Sequence, residues 1–290
     1  MVIPCIDMKI ILIGAGNLAT QLAVALQKKG MTPAYIYSRT RESAEQLSER
    51  LRDVPYSTDI SQVPTDGDLY IFAVKDSALL DLVSRMPSNR GLWVHTAGSM
   101  DMEVFAPYTA RYGVFYPMQT FSKERETDFD DIPIFVETNH TDDTERLQKL
   151  AGRLSTKVYE ATSEQRKYLH LAAVFACNFS NHLYALCDRI LSEHGLPFET
   201  MLPLIRETAA KVADMPPAQA QTGPAIRYDK NVIDKQMALL SDPTMRQIYD
   251  PEALGRKLAG TAANKRWLHH PKAETFLAER VALLQRVYKR

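Results

Sequence analysis

Residues 9–30, KIILIGAGNLATQLAVALQKKG, carry an unbroken apolar run into two closely spaced glycines and then into a helical pattern. Four successive apolar residues, Ile10, Ile11, Leu12 and Ile13, suit a strand buried on both faces, as in a parallel sheet covered by helices. Leu18, Leu22, Ala25 and Leu26 fall on one helical face, and Gly30 stands where a C′ glycine ends such a helix. A strand that turns straight into a helix commits this part of the chain to βαβ units. AYIY reads as a second strand, followed by a helix over about 42–52 with Thr40 as its N-cap. LYIFAV, LWVH, YGVF and IPIFVE are further short apolar runs. DTERLQKLAGRL spaces Leu147, Leu150 and Leu154 for a helix, and KVYE closes the series. Strands separated by helix-length segments predict an α/β domain over residues 1–162, with a largely parallel, doubly wound sheet.

From Thr162 the texture changes. TSEQRKYLHLAAVFACNFSNHLYALCDRILSEHG opens with a capping-box pattern, contains no proline and ends at Gly195. It predicts one helix of about 50 Å at the usual rise per residue. Its middle is apolar nearly all round, so burial from several sides is expected. Further helices are expected at about 198–214, 230–241 and 273–288, which makes residues 163–290 an all-helical domain.

Gly14-Ala15-Gly16-Asn17-Leu18-Ala19 is a G-x-G-x-x-A sequence placed directly after a strand and opening a helix. The first glycine permits the tight turn, the second admits a pyrophosphate to the backbone, and Ala19 keeps helix and strand close. The helix N-terminus adds unpaired N–H groups and partial positive charge. The alternative is a purely structural corner. At the tip of the second strand, where an acid would bind the ribose hydroxyls of NAD, the chain has Ser38, Arg39, Thr40 and Arg41. A guanidinium with two hydroxyls suits a 2′-phosphate, so NADP(H) is the expected cofactor, held by Gly14, Ala15, Gly16, Asn17, Leu18, Ser38, Arg39 and Thr40. The bland reading leaves Arg39 and Arg41 as solvated residues of a first helical turn.

Other classes are excluded or unsupported. The 290 residues hold 35 Lys plus Arg against 35 Asp plus Glu. No basic stripe is there to bind nucleic acid and no acidic tail. The longest apolar run, LHLAAVFACNF, falls short of the roughly 20 residues of a membrane span. MVIPCIDM is too short for a signal peptide, and Cys5, Cys177 and Cys187 read as reduced thiols, so a cytoplasmic location is expected. No metal is expected, because His269 and His270 lack a partner at ligand spacing. No G-x-S-x-G elbow is present for a hydrolase of that type.

The stretches GAGNLA, YSRT, FAVKDSAL, HTAGS, YPMQTFS, HLAAVFACN and TGPAIRYD extend from residue 14 to about 229. With them the chain resembles a Rossmann-like family whose members join an NADP-binding domain to a helical C-terminal domain of unknown function. It is more distantly similar to pyrroline-5-carboxylate reductases, deazaflavin-dependent NADP oxidoreductases and β-hydroxyacid dehydrogenases. The resemblance implies a Rossmann-type sheet, a helical dimerisation domain and hence a homodimer, and it favours Val74 and Lys75 as cofactor contacts. It does not bring a firmly established reaction.

Candidates for chemistry cluster at strand ends and on the long helix. His95, Thr96, Gly98 and Ser99 follow the LWVH strand; His95 is either a proton donor near neutral pH or a structural histidine bonded to a loop carbonyl. Tyr116, Pro117, Gln119 and Thr120 offer wall and substrate-orienting groups. At 100° per residue His170, Asn178 and Asn181 share a face, with His170 and Asn178 as candidate catalytic groups. β-Hydroxyacid dehydrogenases carry a catalytic lysine four residues before the corresponding asparagine, and here that position is Val174. Thr222, Gly223 and Arg227, in a helix-breaking turn, are candidates for a substrate carboxylate, by likeness to a turn of pyrroline-5-carboxylate reductases. Asp229 alternatively caps the next helix. The expected activity is hydride transfer to or from a small carbonyl or imine compound, with a carboxylate, through NADP(H). The competing reading is a non-catalytic NADP(H)-binding sensor or interaction protein.

Overall fold

A computed structural model of the chain describes residues 8–223 and 229–249. Arg227 and the helix expected at 273–288 lie outside the described residues. Eight strands form one sheet: β1 (Ile10–Ile13), β2 (Tyr35–Tyr37), β3 (Tyr56–Ser57), β4 (Leu69–Phe72), β5 (Leu92–His95), β6 (Tyr112–Pro117), β7 (Ile134–Thr138) and β8 (Val158–Glu160). Their order is β3-β2-β1-β4-β5-β6-β7-β8, parallel throughout except for the antiparallel β6–β7 pair. The first six strands have the doubly wound order that reverses beside β1, and the crevice at such a reversal is where ligands bind. Helices α1 (Asn17–Lys28), α2 (Arg41–Arg50), α3 (Asp76–Arg85) and α4 (Thr141–Leu154) connect the strands.

β1, β4 and β5 are buried along their whole length, as strands in a sheet covered on both faces are. Ile10, Leu12, Leu22 and Leu26 pack on one face with Ile71 and Leu150; Ile11, Ile13, Tyr70, Phe72, Trp93 and Phe105 pack on the other. Gly30, at φ +75°, ends α1 in the left-handed conformation that glycine adopts without strain. Thr40 does stand at the N-cap of α2, although its hydroxyl makes no capping bond.

α5 (Ser163–Ala173) begins with the expected capping box: Gln165 N–H donates to Thr162 Oγ1 at 3.2 Å, and Thr162 N–H donates to Gln165 Oε1 at 2.9 Å. The long helix is not uniform. A π-helical stretch, Val174–Phe179, separates α5 from α6 (Ser180–Glu193), and Gly195 follows at φ +69°. Because i→i+5 bonding winds more slowly than an α-helix, the 100° spacing that aligned His170 with Asn178 and Asn181 does not hold across it. Within one chain its middle is left uncovered: neither the π-helical stretch nor α6 has a buried residue, and Leu171, Phe175, Leu183 and Ile190 are exposed.

Contacts divide the chain into two compact units between Asn181 and His182. The expected boundary at 162 marks the start of α5, but α5 belongs with the sheet because its polar side chains are bonded to the loop after β5. The second unit contains most of α6, then α7 (Leu202–Asp214), α8 (Pro217–Ala220), α9 (Lys230–Leu239) and α10 (Pro243–Tyr249). Asp229 caps α9, accepting from Val232 N–H at 3.3 Å. Ile233 and Met245 are the buried apolar side chains among the described residues of this unit.

Candidate functional site

The turn between β1 and α1 is set by Gly14. Its φ is +124°, its N–H donates to Tyr37 O at 2.7 Å, and a Cβ on it would run into the Ala73 carbonyl. Gly14 is thus demanded by the fold. Gly16 is not: its φ of −79° and ψ of −172° suit any residue, and an added Cβ would meet nothing within 4 Å. That Cβ would occupy open space at the N-terminus of α1, which has neither a side-chain cap nor an acid in its first turn. A glycine without an internal reason, at an uncapped helix end beside the reversal of strand order, fits a pyrophosphate approaching the backbone. Asn17, by contrast, is tied to the protein: its Nδ2 donates to Phe121 O at 3.1 Å. Ala15 is buried, and Leu18 is partly buried against the core.

At the β2 tip the two arginines differ. Arg41 Nε is bonded to Glu45 Oε1 at 2.7 Å, and Tyr56 holds the same oxygen at 2.8 Å. Arg39 is exposed and makes no ion pair among the described residues. Ser38 is buried, with its N–H donating to Ser57 O at 3.2 Å. At the β4 end Val74 lies against Gly14, a Cβ there standing 3.1 Å from its Cγ1, while Lys75 is exposed at the N-cap of α3.

The HTAGS loop after β5 is held from inside. His95 is fully buried; its Nδ1 accepts from Ala97 N–H at 3.2 Å, which leaves Nε2–H to donate to Asp101 O at 3.3 Å. Burial, and then the Arg166 charge, push the His95 pKa down to about 4. At neutral pH it is an uncharged ring with both nitrogens engaged, as the structural alternative required. Ser99 Oγ donates to Asp76 Oδ2 at the start of α3.

α5 grips the same loop with four side chains at i, i+3, i+4 and i+7. Ser163 Oγ accepts from Met102 N–H at 3.1 Å, Lys167 pairs with Asp101 at 3.5 Å, and His170 sits on Gly98. Arg166, fully buried, donates to Ala97 O at 3.2 Å, Glu137 Oε2 at 2.6 Å, Ser163 Oγ at 3.1 Å and Met100 O. Glu137 also accepts from Ser163 N–H and Oγ, both at 2.8 Å. Sequence reasoning missed Arg166 and Glu137; the signal was the polar spacing itself along an otherwise unremarked face. On the exposed side, His170 Nδ1 meets Tyr116 Oη at 3.2 Å, with the rings edge to face.

The structure therefore brings His95, Ser99, Tyr116 and His170 together around one loop. Asn178 is exposed on the π-helical stretch, and Gln119 is exposed, its Oε1 accepting from Thr120 N–H at 2.8 Å in a local turn. Thr222 and Gly223, at φ +108°, belong to the second unit.

Residues 3–118 match the model of a Rossmann-like domain, and residues 132–257 match a domain of unknown function, DUF2520. A crystal structure from Bacteroides fragilis, provisionally assigned as an NADP oxidoreductase, is 51% identical over 87% of this chain and 98% of its own, with a TM-score of 0.81. The chain belongs to this Rossmann-like, DUF2520-containing family. The DUF2520 match begins in the loop before β7, so it takes in the two outer strands as well as the helices. Two more distant structures share the fold. An imine reductase from Myxococcus stipitatus in complex with NADP+ is 17% identical over 88% of this chain and 95% of its own, with a TM-score of 0.61. A pyrroline-5-carboxylate reductase from Coxiella burnetii is 16% identical over 87% and 98%, with a TM-score of 0.54. No curated protein matches. Among the described residues, no cluster of side chains is arranged to hold a metal ion, and no helix is long and apolar enough to cross a membrane.

Proposed function

We propose that the chain is an NADP(H)-dependent oxidoreductase acting on a small carbonyl or imine compound. The observation that carries this is Gly16, a glycine that the fold does not need, beside the uncapped end of α1. The 51% identical Bacteroides protein and the NADP+ complex of the imine reductase support the cofactor. Gly14, Gly16 and the first N–H groups of α1 hold the pyrophosphate, Arg39 with Ser38 and Thr40 holds the 2′-phosphate, and Val74 lines the turn. Bound there, the nicotinamide supplies or accepts the hydride.

The chain's own part is to place a donor beside the reacting group. His95 is left out of proton transfer in this proposal, because both of its nitrogens serve the loop. His170 is the hydrogen-bond donor at the reacting group, and the exposed Asn178 and Gln119 are the candidates for orienting the substrate. The cytoplasm is the proposed location, in keeping with free Cys177 and Cys187.

A homodimer is part of the same proposal. α6 and α7 leave Leu183, Ile190, Leu204 and Val212 exposed, more large apolar side chains than a monomeric surface usually gathers on two neighbouring elements of sequence. A second copy is the expected cover. Light scattering then gives twice the chain mass, and Leu183→Glu shifts it to the monomer; a monomeric wild type removes this part.

The test of function is calorimetric titration with NADPH, NADP+, NADH and NAD+, followed by NADPH absorbance over a panel of keto and imino acids. Tight NADPH binding with turnover of one panel member supports the reading. Binding without turnover on a broad panel favours the sensor, for which Val174 in place of the resembled lysine speaks. No binding of any of the four removes both.

A further inference from the structure

His170 is exposed, yet one edge of its ring is seated with unusual closeness. Gly98 has no positive φ to explain a glycine, but a Cβ there would stand 2.6 Å from His170 Nδ1 and 2.7 Å from its Cγ. Gly98 is therefore a contact glycine, and the Cβ–Cγ–Nδ1 edge of the His170 side chain lies against the loop. On the same edge stands Tyr116, buried among Val114, Phe135 and Ala161. A buried phenol needs a hydrogen-bond partner, and His170 Nδ1, at 3.2 Å, is the one among the described residues. Burial pushes the Tyr116 pKa up, ahead of an opposing influence from the Arg166 charge, so the hydroxyl keeps its proton.

We propose that Tyr116 is a positioning residue for His170: its hydroxyl donates to Nδ1 at 3.2 Å and so fixes the imidazole as the Nε2–H tautomer, with Nε2 turned to a ligand. Nε2 has no hydrogen-bond partner among the described residues. A neutral imidazole with its N–H directed outwards is a hydrogen-bond donor, the arrangement that polarises a carbonyl without giving up charge. It recognises a group with a lone pair to offer, a ketone or aldehyde oxygen or an unprotonated imine nitrogen. It rejects a protonated iminium, which has no lone pair on nitrogen. This inference rests on the oxidoreductase reading for its substrate, whereas the tautomer rests on Nδ1 being the acceptor open to the Tyr116 hydroxyl among the described residues.

The experiment is long-range proton–nitrogen NMR of the full chain at neutral pH, without cofactor, comparing wild type with Tyr116→Phe. His95 serves as an internal reference, since its own bonds also fix an Nε2–H ring. In wild type His170 should show one protonated nitrogen, Nε2, and one unprotonated nitrogen, Nδ1. In Tyr116→Phe the two signals should move toward each other as the tautomers exchange, while His95 stays in place. A wild-type His170 that is already averaged, or protonated on Nδ1, overturns the proposal, as does a Tyr116→Phe ring that is unchanged. If Tyr116→Phe also disturbs His95, the wild-type spectrum decides alone. Failure to bind NADPH, measured separately, would remove the oxidoreductase reading and leave the tautomer result intact.

Discussion

Gly98 and His170 are in such close contact that the glycine's missing side chain is what lets the imidazole reach the HTAGS loop. Gly98→Ala places a methyl group where the ring now lies. The ring is a side chain on a half-open surface and can swing away, so the stability cost should stay near 1 kcal/mol. Its displacement removes the donor from its place, and a misplacement of that size costs about a hundredfold in turnover. NADPH affinity, measured by calorimetry, should be unchanged. A fall in affinity equal to the fall in turnover would show that Gly98 serves the cofactor.

Arg166 is a different kind of residue, structural and without an exposed edge. Its guanidinium supplies Ala97 O, Met100 O, Ser163 Oγ and Glu137, four acceptors in a fixed fork that an ammonium cannot match. Arg166→Met leaves Glu137 only partly compensated, and loss of one partner of such a buried pair costs about 3–5 kcal/mol. Arg166→Lys should recover only part of that. Thermal unfolding of the two variants checks the order: wild type, then lysine, then methionine.

Arg166 also shows where the sequence stopped being legible. The sheet, its largely parallel order and the glycine turn after β1 are readable because buried strands and glycine turns depend on local chemistry. Ser163, Arg166, Lys167 and His170 share a helical face, but the pattern is polar, and a search for apolar periodicity passes over it. Its acceptors, Ala97, Met100 and Glu137, come from two other elements that only the fold brings near. The π-helical stretch was invisible for a related reason. VFACNF carries no breaker residue, so nothing local marks the change in winding. The apolar middle of the long helix is legible as a pattern, but hydrophobicity says that a face will be covered and not by what.

The two arginines at the β2 tip should separate in binding. Arg41 is already engaged by Glu45, itself bonded to Tyr56, whereas Arg39 has its guanidinium in solvent. A charge-assisted bond of about 1.5–3 kcal/mol corresponds to tenfold to a hundredfold in affinity. Arg39→Ala should weaken NADPH by that factor and leave NADH unchanged. Arg41→Ala should move either by less than threefold. Equal losses for both variants would mean a diffuse electrostatic effect.

The depressed pKa of His95 carries a signature in acid. The unfolded ring takes up its proton near pH 6.5, while the folded ring resists until about pH 4. Below 6.5 the unfolded chain binds more protons, so stability falls as the pH drops through this window and is at its full value above it. Arg166, which disfavours the charged ring, and Asp76 and Asp101, which favour it, are included in that value. The loss should be of the order of 2 kcal/mol by pH 4.5. Urea midpoints from pH 7 to 4.5 should show it in wild type and much less of it in His95→Asn. A slope that is identical in the variant would place the acid sensitivity in other groups.

Gly14 and Gly16 offer the sharpest division between fold and function. At Gly14 a methyl group collides with the Ala73 carbonyl in a backbone at φ +124°, so Gly14→Ala must shift β1 against β4 or unfold the turn. Both causes act together, and a loss above about 3 kcal/mol is expected. At Gly16 the same methyl group meets no atom of the chain and no forbidden dihedral. Gly16→Ala should therefore melt within about 2 °C of wild type, or slightly above it, because alanine narrows the unfolded ensemble. If a pyrophosphate does approach this backbone, the methyl group stands in its way, and NADPH affinity should fall at least tenfold in a protein that is otherwise unharmed. A Gly16→Ala variant that binds NADPH as wild type does would leave the cradle without its second glycine and the cofactor without this site.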